Sequence, residues 1–523
     1  MATNKKKIIT KKPKTPNQPI ERINYPELVF GLIGPAGTDL KSVFSILKRE
    51  LESVGYRVPR REVRLSDIIQ EFLGVDYSKL PEFDRIEKLM TDGTRIREES
   101  KNGGAVALLS LLGIDRARRD EFGNSYEQNA YILHSIKHQD EITVLRNIYG
   151  RGFYAIAVYA PRESRVTRLA ARISSSNHYK QEQSRSLAEL LIERDEKEGK
   201  KLGQNVKDAF PLADLFIDDS DKNQLEQNIK RFVEALFSYP YHTPTKDEYG
   251  MYHAKSAALR SADLARQVGA AISTESGDII SVGCNDIPKA GGGLYWTGDK
   301  PDSRDFVIGK DASNEQRQEL IVEFMCRLKE NGLLSDSSAD IPAIVESLLV
   351  GERKNVLEST QVLGLIEFGR SVHAEMAALM DASRRGVSVK DATLYTTTFP
   401  CHLCAKHIIA AGIKRVVYIE PYPKSRAQKL YSDSIVVDSP KRIHGHVNFE
   451  PFVGIAPTQY FNLFEMQGAA SRKEDSGKVV DWPRRGTIQL PRVQRFMNTY
   501  LIMEKRIIGY YVPKLAKVMG VTI

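Results

Sequence analysis

The chain has 523 residues, of which 41% are hydrophobic and 27% are charged. At about 100–200 residues per domain, that length predicts two to four domains. The composition is ordinary for folded proteins and argues against disorder, collagen-like repeats and a membrane bundle. No stretch approaches about 18 uninterrupted apolar residues, and the lysine-rich start lacks the apolar run of a secretory signal. The sequence therefore predicts a soluble, cytoplasmic protein with no membrane partner.

The net charge is basic, and the excess is concentrated at the start of the chain. There are 76 basic and 67 acidic residues, which gives a formal charge of +9, and six of the lysines lie within residues 1–14. A basic tail can attract nucleic acid or simply remain solvated, and the lack of interleaved aromatic residues favours the second interpretation. We therefore interpret residues 1–24 as a basic flexible tail.

The first half of the chain alternates buried-strand patterns with helical ones. The apolar run from Glu27 to Ile33 predicts a strand, and a glycine turn then leads into an amphipathic helix from about Leu40 to Val54. Further strands are predicted at 130–136, 153–160 and 215–217, with helices at 162–173 and 225–237. Such alternation is typical of a parallel sheet covered by helices. A short segment with two prolines, 238–244, predicts a linker.

The glycine turn looks like a degenerate phosphate-binding loop. The standard motif places its lysine directly after the second glycine, so that backbone N–H groups and the lysine surround phosphate. Here Lys41 follows Gly34 by seven residues, and Asp39 puts a carboxylate where phosphates would lie. Residual nucleotide binding through Gly34, Gly37, Lys41 and Ser42 and a purely structural remnant stay open as alternatives. An active phosphotransferase is the less favoured interpretation.

Three arginines on the helix predicted at 162–173 also suggest a phosphate site. Arg165, Arg168 and Arg172 have the i, i+3, i+7 spacing of one helix face. A charged helix face is usually only solvated, however, and we favour that interpretation.

The second half predicts another α/β domain. A helix at 253–267 leads into a hairpin, whose strands 268–273 and 279–284 flank the turn 274–278. A polar stretch at about 291–366 is interpreted as an insertion. A helix at 373–384, a strand at 393–398, a helix at 402–411 and a strand at 415–420 follow. This order is typical of an α/β sandwich, whereas the last 70 or so residues predict no particular element.

The strongest chemical signal is His373-Ala-Glu375 followed by Pro400-Cys401-His-Leu-Cys404. One imidazole and two thiolates provide three zinc ligands and leave a fourth position for water, which is typical of a catalytic site. Zinc prefers such a nitrogen and sulfur ligand set. Pro400 suits the start of a helix, where free N–H groups and the helix dipole favour thiolates.

Glu375 follows the histidine by two residues, which on a helix interior would place the two side chains on opposite sides. We therefore expect both at a helix entrance, with Glu375 close to the metal but not bound to it. There it can accept a proton from the activated water and pass it to the substrate ring. The pairing of H-x-E with P-C-x-x-C is the signature of zinc nucleobase deaminases.

Other interpretations of these residues exist. The C-x-x-C pair is also typical of a redox motif or of half a structural zinc site, and His373 alone is consistent with a core residue. A structural site needs a further ligand pair. Cys284 and Cys326 are too far apart in sequence to provide one, and His402 and His407 share the helix of the thiolates. A catalytic zinc site is therefore favoured.

The run Leu394–Tyr418 closely resembles the deoxycytidylate deaminases, as does Ser281–Pro288. The resemblance covers two helices with zinc ligands, two strands and a substrate loop. It implies the following roles: zinc ligands His373, Cys401 and Cys404, proton shuttle Glu375, sugar contact Asn285, and further substrate-binding residues Thr397 and Phe399. The insertion and the long N-terminal half depart from the short members of that family.

The whole arrangement resembles the bacterial antiphage dCTP/dCMP deaminases. It implies a P-loop nucleotide-kinase-like domain at 25–238 with a doubly wound parallel sheet. A cytidine-deaminase-like α/β/α sandwich would follow at 249–455, with a C-terminal extension at 456–523. The implied activity converts deoxycytidine nucleotides, dCTP or dCMP, to deoxyuridine nucleotides and so depletes dCTP. The resemblance also implies homo-oligomers such as hexamers, an inhibitory RNA in some members, and leaves room for a nucleotide effector at the N-terminal domain.

Two other functions compete with this one. A polynucleotide cytidine or adenosine deaminase usually needs a basic, aromatic groove for a strand, and outside its tail this chain is nearly neutral. A nucleotide-sensing regulatory protein would use the N-terminal domain and keep the zinc only as a structural ion. Ammonia release from dCMP, dCTP, CMP or single-stranded DNA separates the three functions.

Overall fold

The computed structural model describes residues 25–177, 181–334, 340–357, 360, 362, 367–422, 425–439, 441–466, 472–482, 489–493 and 499–522. The predicted basic tail, 1–24, lies outside the described residues. Two compact units are formed: unit 1 contains the chain up to Pro244 and from Val453 onward, and unit 2 contains Thr245–Phe452. None of the described helices combines the length and the apolar composition needed to cross a lipid bilayer.

The first part of unit 1 alternates strands with helices, as the apolar patterns predict. Its strands are β1 (Leu28–Ile33), β2 (Val63–Arg64), β3 (Ala130–Ile136), β4 (Phe153–Tyr159) and β5 (Leu215–Asp218). Its helices are α1 (Leu40–Ser53), α2 (Leu65–Leu73), α3 (Glu82–Ser100), α4 (Ala105–Phe122), α5 (Gln139–Tyr149), α6 (Arg162–Asn177), α7 (Gln181–Glu196), α8 (Val206–Ala209) and α9 (Lys222–Leu236). The four strands and three helices predicted for this half are confirmed.

The strands of this part form a parallel sheet in the order β5-β4-β1-β3-β2. β1 lies in the middle and is buried along its whole length, which explains its continuous apolar sequence. The apolar faces of the strands share one core with α1 and α9. β1 has β3 on one side and β4 on the other, so the order of the strands reverses at its carboxyl end. Open α/β sheets bind ligands at such a position, and the glycine turn lies there.

Unit 2 contains a mixed sheet in the order β7-β6-β8-β9-β11-β10, in which β6 is antiparallel to both its neighbours and the other pairs are parallel. Its strands are β6 (Gly269–Ser273), β7 (Ile279–Cys284), β8 (Thr393–Thr398), β9 (Arg415–Glu420), β10 (Ile435–Val437) and β11 (Val447–Pro451). Its helices are α10 (Lys246–Ala258), α11 (Asp305–Ile308), α12 (Ala312–Glu330), α13 (Ile341–Leu349), α14 (Ala374–Arg384), α15 (His402–Ala410) and α16 (Ala427–Leu430). The predicted hairpin and the helix-strand alternation after it are confirmed.

Helices lie on both faces of this sheet. Alternate strand residues, such as Ile272 and Leu394, share a core with α14 and α15. Tyr395, which follows Leu394 in β8, points to the other face of the sheet, where its hydroxyl donates to Asp247 of α10 over 2.9 Å. Gly283 of β7 lies against the first turns of α14, where a methyl group would collide with the backbone of that helix. The absence of a side chain therefore lets α14 approach the sheet closely.

The helix predicted at 253–267 is wrong at both ends. α10 begins at Lys246, because Thr245 caps its first turn and Glu248 completes the capping box. The helix ends at Ala258. The apolar spacing continues beyond that residue. However, the backbone of 266–268 is held in a loop by hydrogen bonds with the side chain of Asn285, the residue that follows β7.

The C-terminal segment returns to unit 1. β12 (Gly454–Ile455) pairs antiparallel with β5, and α17 (Tyr460–Phe464), α18 (Thr499–Arg506) and α19 (Val512–Met519) follow. Glu504 of α18 lies 3.0 Å from the guanidinium of Arg118, which also binds Glu27 at 2.8 Å. All three side chains are buried, so this network joins the end of the chain to the start of β1.

Candidate metal centre

Three potential metal ligands converge in unit 2. The Sγ atoms of Cys401 and Cys404 lie 3.2 and 3.4 Å from Nδ1 of His373. In tetrahedral zinc sites, bonds of about 2.3 Å to sulfur and about 2.0 Å to nitrogen place these atoms about 3.5 Å apart. The donor atoms therefore match the ligand set and the spacing of a zinc site without rearrangement. Within the described residues, this metal-ligand group contains no fourth histidine, cysteine or carboxylate.

The ligands are placed by the starts of two helices. His373 is the N-cap residue of α14, and its extended backbone turns the imidazole away from the helix axis. Cys401 is the N-cap of α15, where its sulfur accepts a hydrogen bond from the amide of Cys404 over 3.4 Å. This bond explains why two intervening residues are needed in the C-x-x-C motif: the cap and the first turn put both sulfurs on one side.

The ionisation of the three ligands is coupled. Hydrogen bonds from Cys404 and His373 lower the pKa of Cys401 to about 4. The thiolate of Cys401 in turn raises the pKa of His373 to about 9, and the pKa of Cys404 lies well above its ordinary value because its thiol bonds to that thiolate. A dication among these atoms stabilises both thiolates and the neutral imidazole, because metal binding displaces their protons.

Glu375 lies in the first turn of α14 and is only 4% exposed. Its carboxyl contacts the side chain of Cys404 but does not belong to the group of three converging ligand atoms. Burial raises the pKa of this carboxyl. The prediction that Glu375 and His373 share a helix entrance therefore agrees with their positions at its N-cap and first turn.

A cavity of about 310 Å³ opens beside these residues. Its wall includes His373, Glu375, Cys401 and Phe399. The wall also contains polar and aromatic side chains that no sequence motif marked, which are Asp263, Arg266, Asp305, Asp311, Ser313, Arg317, Arg370, Ser371 and Tyr422. Several belong to the start of the segment interpreted as an insertion, which thus contributes directly to this cavity. No local motif marks them, because loops distant in sequence bring them together.

The predicted substrate-binding residues occupy different positions. Asn285 lines the cavity, where its Oδ1 accepts from the amide of Val268 and its Nδ2 donates to the carbonyl of Arg266, both over 2.7 Å. Phe399 also lines the cavity and packs against aromatic rings of the core. The hydroxyl of Thr397 accepts from the amide of Gly269 over 3.1 Å, and its neighbour in β8, residue 398, contributes to the wall instead.

The residues of the degenerate phosphate loop are brought together in unit 1, between β1 and the start of α1. Gly34, Gly37 and Lys41 line a cavity of about 490 Å³ in that unit. The side chain of Asp39 caps α1 by accepting from the amide of Ser42 over 3.1 Å, and the hydroxyl of Ser42 also donates to Asp39 over 2.6 Å. The predicted nucleotide-binding residues therefore lie in the glycine turn and the first turn of α1, which belong to unit 1, whereas the metal ligands belong to unit 2.

The three arginines of α6 are paired. Arg165 is 7% exposed and binds Glu196, and Arg168 makes two hydrogen bonds to Asp219. The prediction of a merely solvated face is therefore wrong for these two residues, because carboxylates of neighbouring segments cover them.

Comparison with known proteins identifies this part of the chain. Residues 244–420 match the family model of the cytidine and deoxycytidylate deaminase zinc-binding region. The deoxycytidylate deaminase of enterobacteria phage T2 is 47% identical over 55 residues, which cover 10% of this chain and 29% of that protein. A probable deoxycytidylate deaminase of Drosophila melanogaster is 35% identical over 103 residues, or 18% of this chain and 50% of that protein. These matches thus span half or less of the relatives' length.

A solved structure, the dCMP deaminase from cyanophage S-TIM5 in apo form, is 17% identical and aligns over 40% of this chain and 100% of its own, with a TM-score of 0.21. The family match, by contrast, contains all three converging ligands and Glu375. Residues 244–420 therefore resemble the cytidine and deoxycytidylate deaminase zinc-binding region, and His373, Cys401 and Cys404 within them are positioned to form a zinc site.

Proposed function

We propose that this protein catalyses the zinc-dependent hydrolytic deamination of free deoxycytidine nucleotides, dCMP or dCTP, to deoxyuridine nucleotides and ammonia. One observation carries the proposal: the buried carboxyl of Glu375 lines the same cavity as His373 and Cys401, two members of a three-ligand metal site. A structural zinc site needs no buried carboxyl beside it, whereas a hydrolytic site needs a proton carrier.

In this mechanism, zinc supplies the Lewis acid that activates water for attack on C4 of cytosine. Glu375 accepts the proton released by that water and delivers it to N3 of the ring. It then takes the proton of the hydroxyl added at C4 and delivers it to the exocyclic nitrogen, so that the C4–N bond breaks, the C4 carbonyl forms and ammonia leaves. Glu375 is not one of the three converging ligands, so in this mechanism its carboxyl acts as a proton carrier and not as a metal ligand.

The other walls of the cavity suit a phosphorylated sugar. Three guanidinium groups, those of Arg266, Arg317 and Arg370, lie among the lining residues. Guanidinium is the side-chain group best suited to bind phosphate with paired hydrogen bonds. We propose that they bind the phosphate groups, and that Asn285 holds the loop of Arg266 against the sugar.

The test is ammonia release by the purified full-length protein supplied with dCMP, dCTP, deoxycytidine, CMP or single-stranded DNA. We expect turnover of a deoxycytidine nucleotide and little with the nucleoside that lacks phosphate. The variant Glu375→Gln should retain one zinc per chain but lose about 10²–10⁴-fold in turnover, because only the proton carrier changes. Asp381→Asn, at a half-buried carboxylate later in the same helix, serves as the matched control and should remain active.

Three results would contradict the proposal. Full activity of the Glu375→Gln variant would exclude its proton-carrying role. Deamination of a DNA strand but of no free nucleotide would favour a polynucleotide deaminase. Zinc retained with no turnover of any of these substrates would favour a structural ion in a regulatory protein.

We also propose that the deaminase acts in antiphage defence by depleting dCTP in the cytoplasm, as the resemblance to two-domain bacterial enzymes implies. The fusion to a parallel α/β unit with a glycine turn after its central strand supports this proposal. The proposal includes a homo-oligomer and an inhibitory RNA. Light scattering tests the first, and nucleic acid recovered with the protein tests the second. Loss of dCTP in infected cells that carry the wild type, but not Glu375→Gln, tests the biological role.

A further inference from the structure

The cavity of about 490 Å³ in unit 1 lies at the carboxyl end of β1, beside the degenerate phosphate loop. It is larger than the cavity at the metal ligands, and nothing in the deaminase mechanism uses it. Apolar side chains form part of its wall, among them Leu65, Ile69, Leu89 and Met90. Basic side chains, the amide of Gln204 and the carboxylates of Asp39 and Glu141 form part of the remainder. Such a mixed wall is typical of sites for small organic ligands.

The loop beside this cavity has lost the donors that a phosphate loop uses. The amide of Ala36 donates to Oδ2 of Asp195 over 2.7 Å, and the amide of Asp39 donates to Oδ2 of Asp219 over 2.9 Å. Both accepting carboxylates are almost completely buried. Carboxylate oxygens thus occupy the places where phosphate oxygens would accept, and the loop is closed to a triphosphate.

Lys137 strengthens this closure. Its ammonium donates to the carbonyl of Gly34 over 2.8 Å and to Asp195 over 2.9 Å. A lysine that would otherwise be available to a phosphate is therefore engaged in holding the loop. Transfer of a γ-phosphoryl group requires both the amides and such a lysine. The structure therefore argues against phosphotransfer at this loop.

Other polar atoms on the cavity wall lack a partner in the described part of the chain. Oε1 of Gln204, Oγ1 of Thr38 and Oγ of Ser135 are buried and accept or donate no hydrogen bond there. Gln204 is only 4% exposed, and its Nε2 makes a single long bond of 3.4 Å to the carbonyl of Met90. Leaving a buried polar group unpaired is a cost to the stability of the fold. A ligand that bonds to the carboxamide of Gln204 would remove this cost.

The same cavity carries a surplus of positive charge. Arg85 and Arg172 both bind the single carboxylate of Glu82, so two guanidiniums share one negative charge. Lys41 is exposed at the cavity and forms no ion pair within the described residues. An anionic group of the ligand would balance this charge, and guanidinium pairs favour a phosphate.

We infer that this cavity is a mononucleotide-binding site that binds its ligand without phosphoryl transfer. The carboxamide of Gln204 offers both an acceptor and a donor to the edge of a base, and the apolar wall accommodates its ring. Arg85 and Arg172 bind the phosphate group. The inference goes beyond the deaminase activity, because the residues concerned all belong to unit 1.

The test is calorimetric titration of the full-length, zinc-loaded protein with dAMP, dGMP, dTMP and inorganic phosphate. None of these carries a cytosine, but dTMP resembles a deoxyuridine product and phosphate suits the arginines of the deaminase cavity, so only binding that substitutions in the wall of the unit 1 cavity weaken is assigned to unit 1. We expect one of the mononucleotides to bind with one site per chain and more tightly than phosphate alone. Gln204→Leu and Arg172→Gln should each weaken that binding at least tenfold. The first removes the hydrogen bonds to the base, and the second removes a guanidinium that binds the phosphate. Arg116→Gln, at an exposed arginine of unit 1 outside the cavity wall, is the matched control and should bind normally.

The outcomes decide the inference separately from the proposed deaminase. No binding of any mononucleotide at about 1 mM, the weak limit of specific recognition, would overturn it. So would binding that survives both substitutions, or phosphate binding as tightly as every mononucleotide. Arg172→Gln changes a surface side chain, so it keeps the test decisive if Gln204→Leu fails to fold. Transfer of label from ATP to any of these nucleotides would refute the claim that the loop is closed.

Discussion

Unit 1 and unit 2 each contain a sequence motif at the start of a helix, but the fold affects the chemical groups of the two motifs differently. In unit 2 the chemistry depends on the side chains of the motif itself, and the imidazole and two sulfurs converge as their spacing predicts. In unit 1 the chemistry of a phosphate loop depends on backbone amides. Those amides are already bonded to Asp195 and Asp219, more than 150 residues away in sequence.

This difference indicates which kind of motif predicts function reliably. Ligand atoms carried by a motif move with it, and the local backbone of α14 and α15 is enough to aim them. Backbone donors are common to every sequence, so any acceptor that the tertiary structure brings near can take them. The following predictions test this contrast, beginning with the largest expected effect.

Cys404→Ser should abolish both zinc binding and deamination. A serine hydroxyl is a poor substitute for a thiolate, and a two-ligand site holds zinc weakly. Zinc content by atomic spectroscopy and ammonia release on the same sample check this prediction. Cys326→Ser, which changes a cysteine outside the site, is the control and should keep one zinc per chain. Zinc retained by the Cys404→Ser variant would show that the motif does not carry the metal.

Asp219→Ala should destabilise unit 1 by about 3 kcal/mol, because it leaves the guanidinium of Arg168 and the amide of Asp39 without their buried acceptor. Urea unfolding followed by a probe in unit 1 measures the change. Glu193→Gln, which breaks an exposed ion pair with Arg162, should cost less than about 1 kcal/mol. Equal effects of the two substitutions would mean that the loop does not depend on its buried carboxylate.

Asn285→Ala should raise KM for the deoxycytidine nucleotide and destabilise unit 2 by about 2 kcal/mol. The substitution removes the bonds that hold the backbone of Arg266 and Val268 at the cavity wall. Steady-state kinetics separates KM from kcat. Zinc content should stay at one per chain, because the ligands are untouched. An unchanged KM would contradict both the sugar contact and the positioning of the loop.

Asp247→Asn should reduce the acid sensitivity of unit 2 and lower its stability at neutral pH by about 1 kcal/mol. Burial by itself would raise the pKa of Asp247, but two hydrogen bonds from Arg415 outweigh it and the pKa is lowered. A carboxyl whose folded pKa is lowered stabilises the fold fully above its ordinary pKa of about 4. This contribution is lost as the pH falls from about 4 through the lower pKa of the folded state. Unfolding free energies between about pH 3 and 7 should therefore converge for the two proteins at the acid end.

Much of the fold could be predicted from the sequence where the apolar period is long and regular. The buried run of β1 and the hairpin of β6 and β7 are examples, because each strand must hide one or both faces. The end of α10 could not be predicted. Its apolar spacing continues, but Asn285 competes for the backbone of the following residues. The C-terminal segment also gave no signal, since its place depends on the partnership of Glu504 with Arg118 and Tyr149.

The zinc ligands and their neighbouring carboxyl were determined by the sequence, because N-cap residues and the C-x-x-C spacing act within one helical turn. Tertiary structure alone decided the rest of both cavities. It placed Arg317 of the insertion, together with Arg266 and Arg370, at the cavity beside the metal ligands, and it set buried carboxylates against the amides of the glycine turn. These contacts join residues far apart in the chain, and which acceptor reaches a given donor depends on the packing of the whole unit.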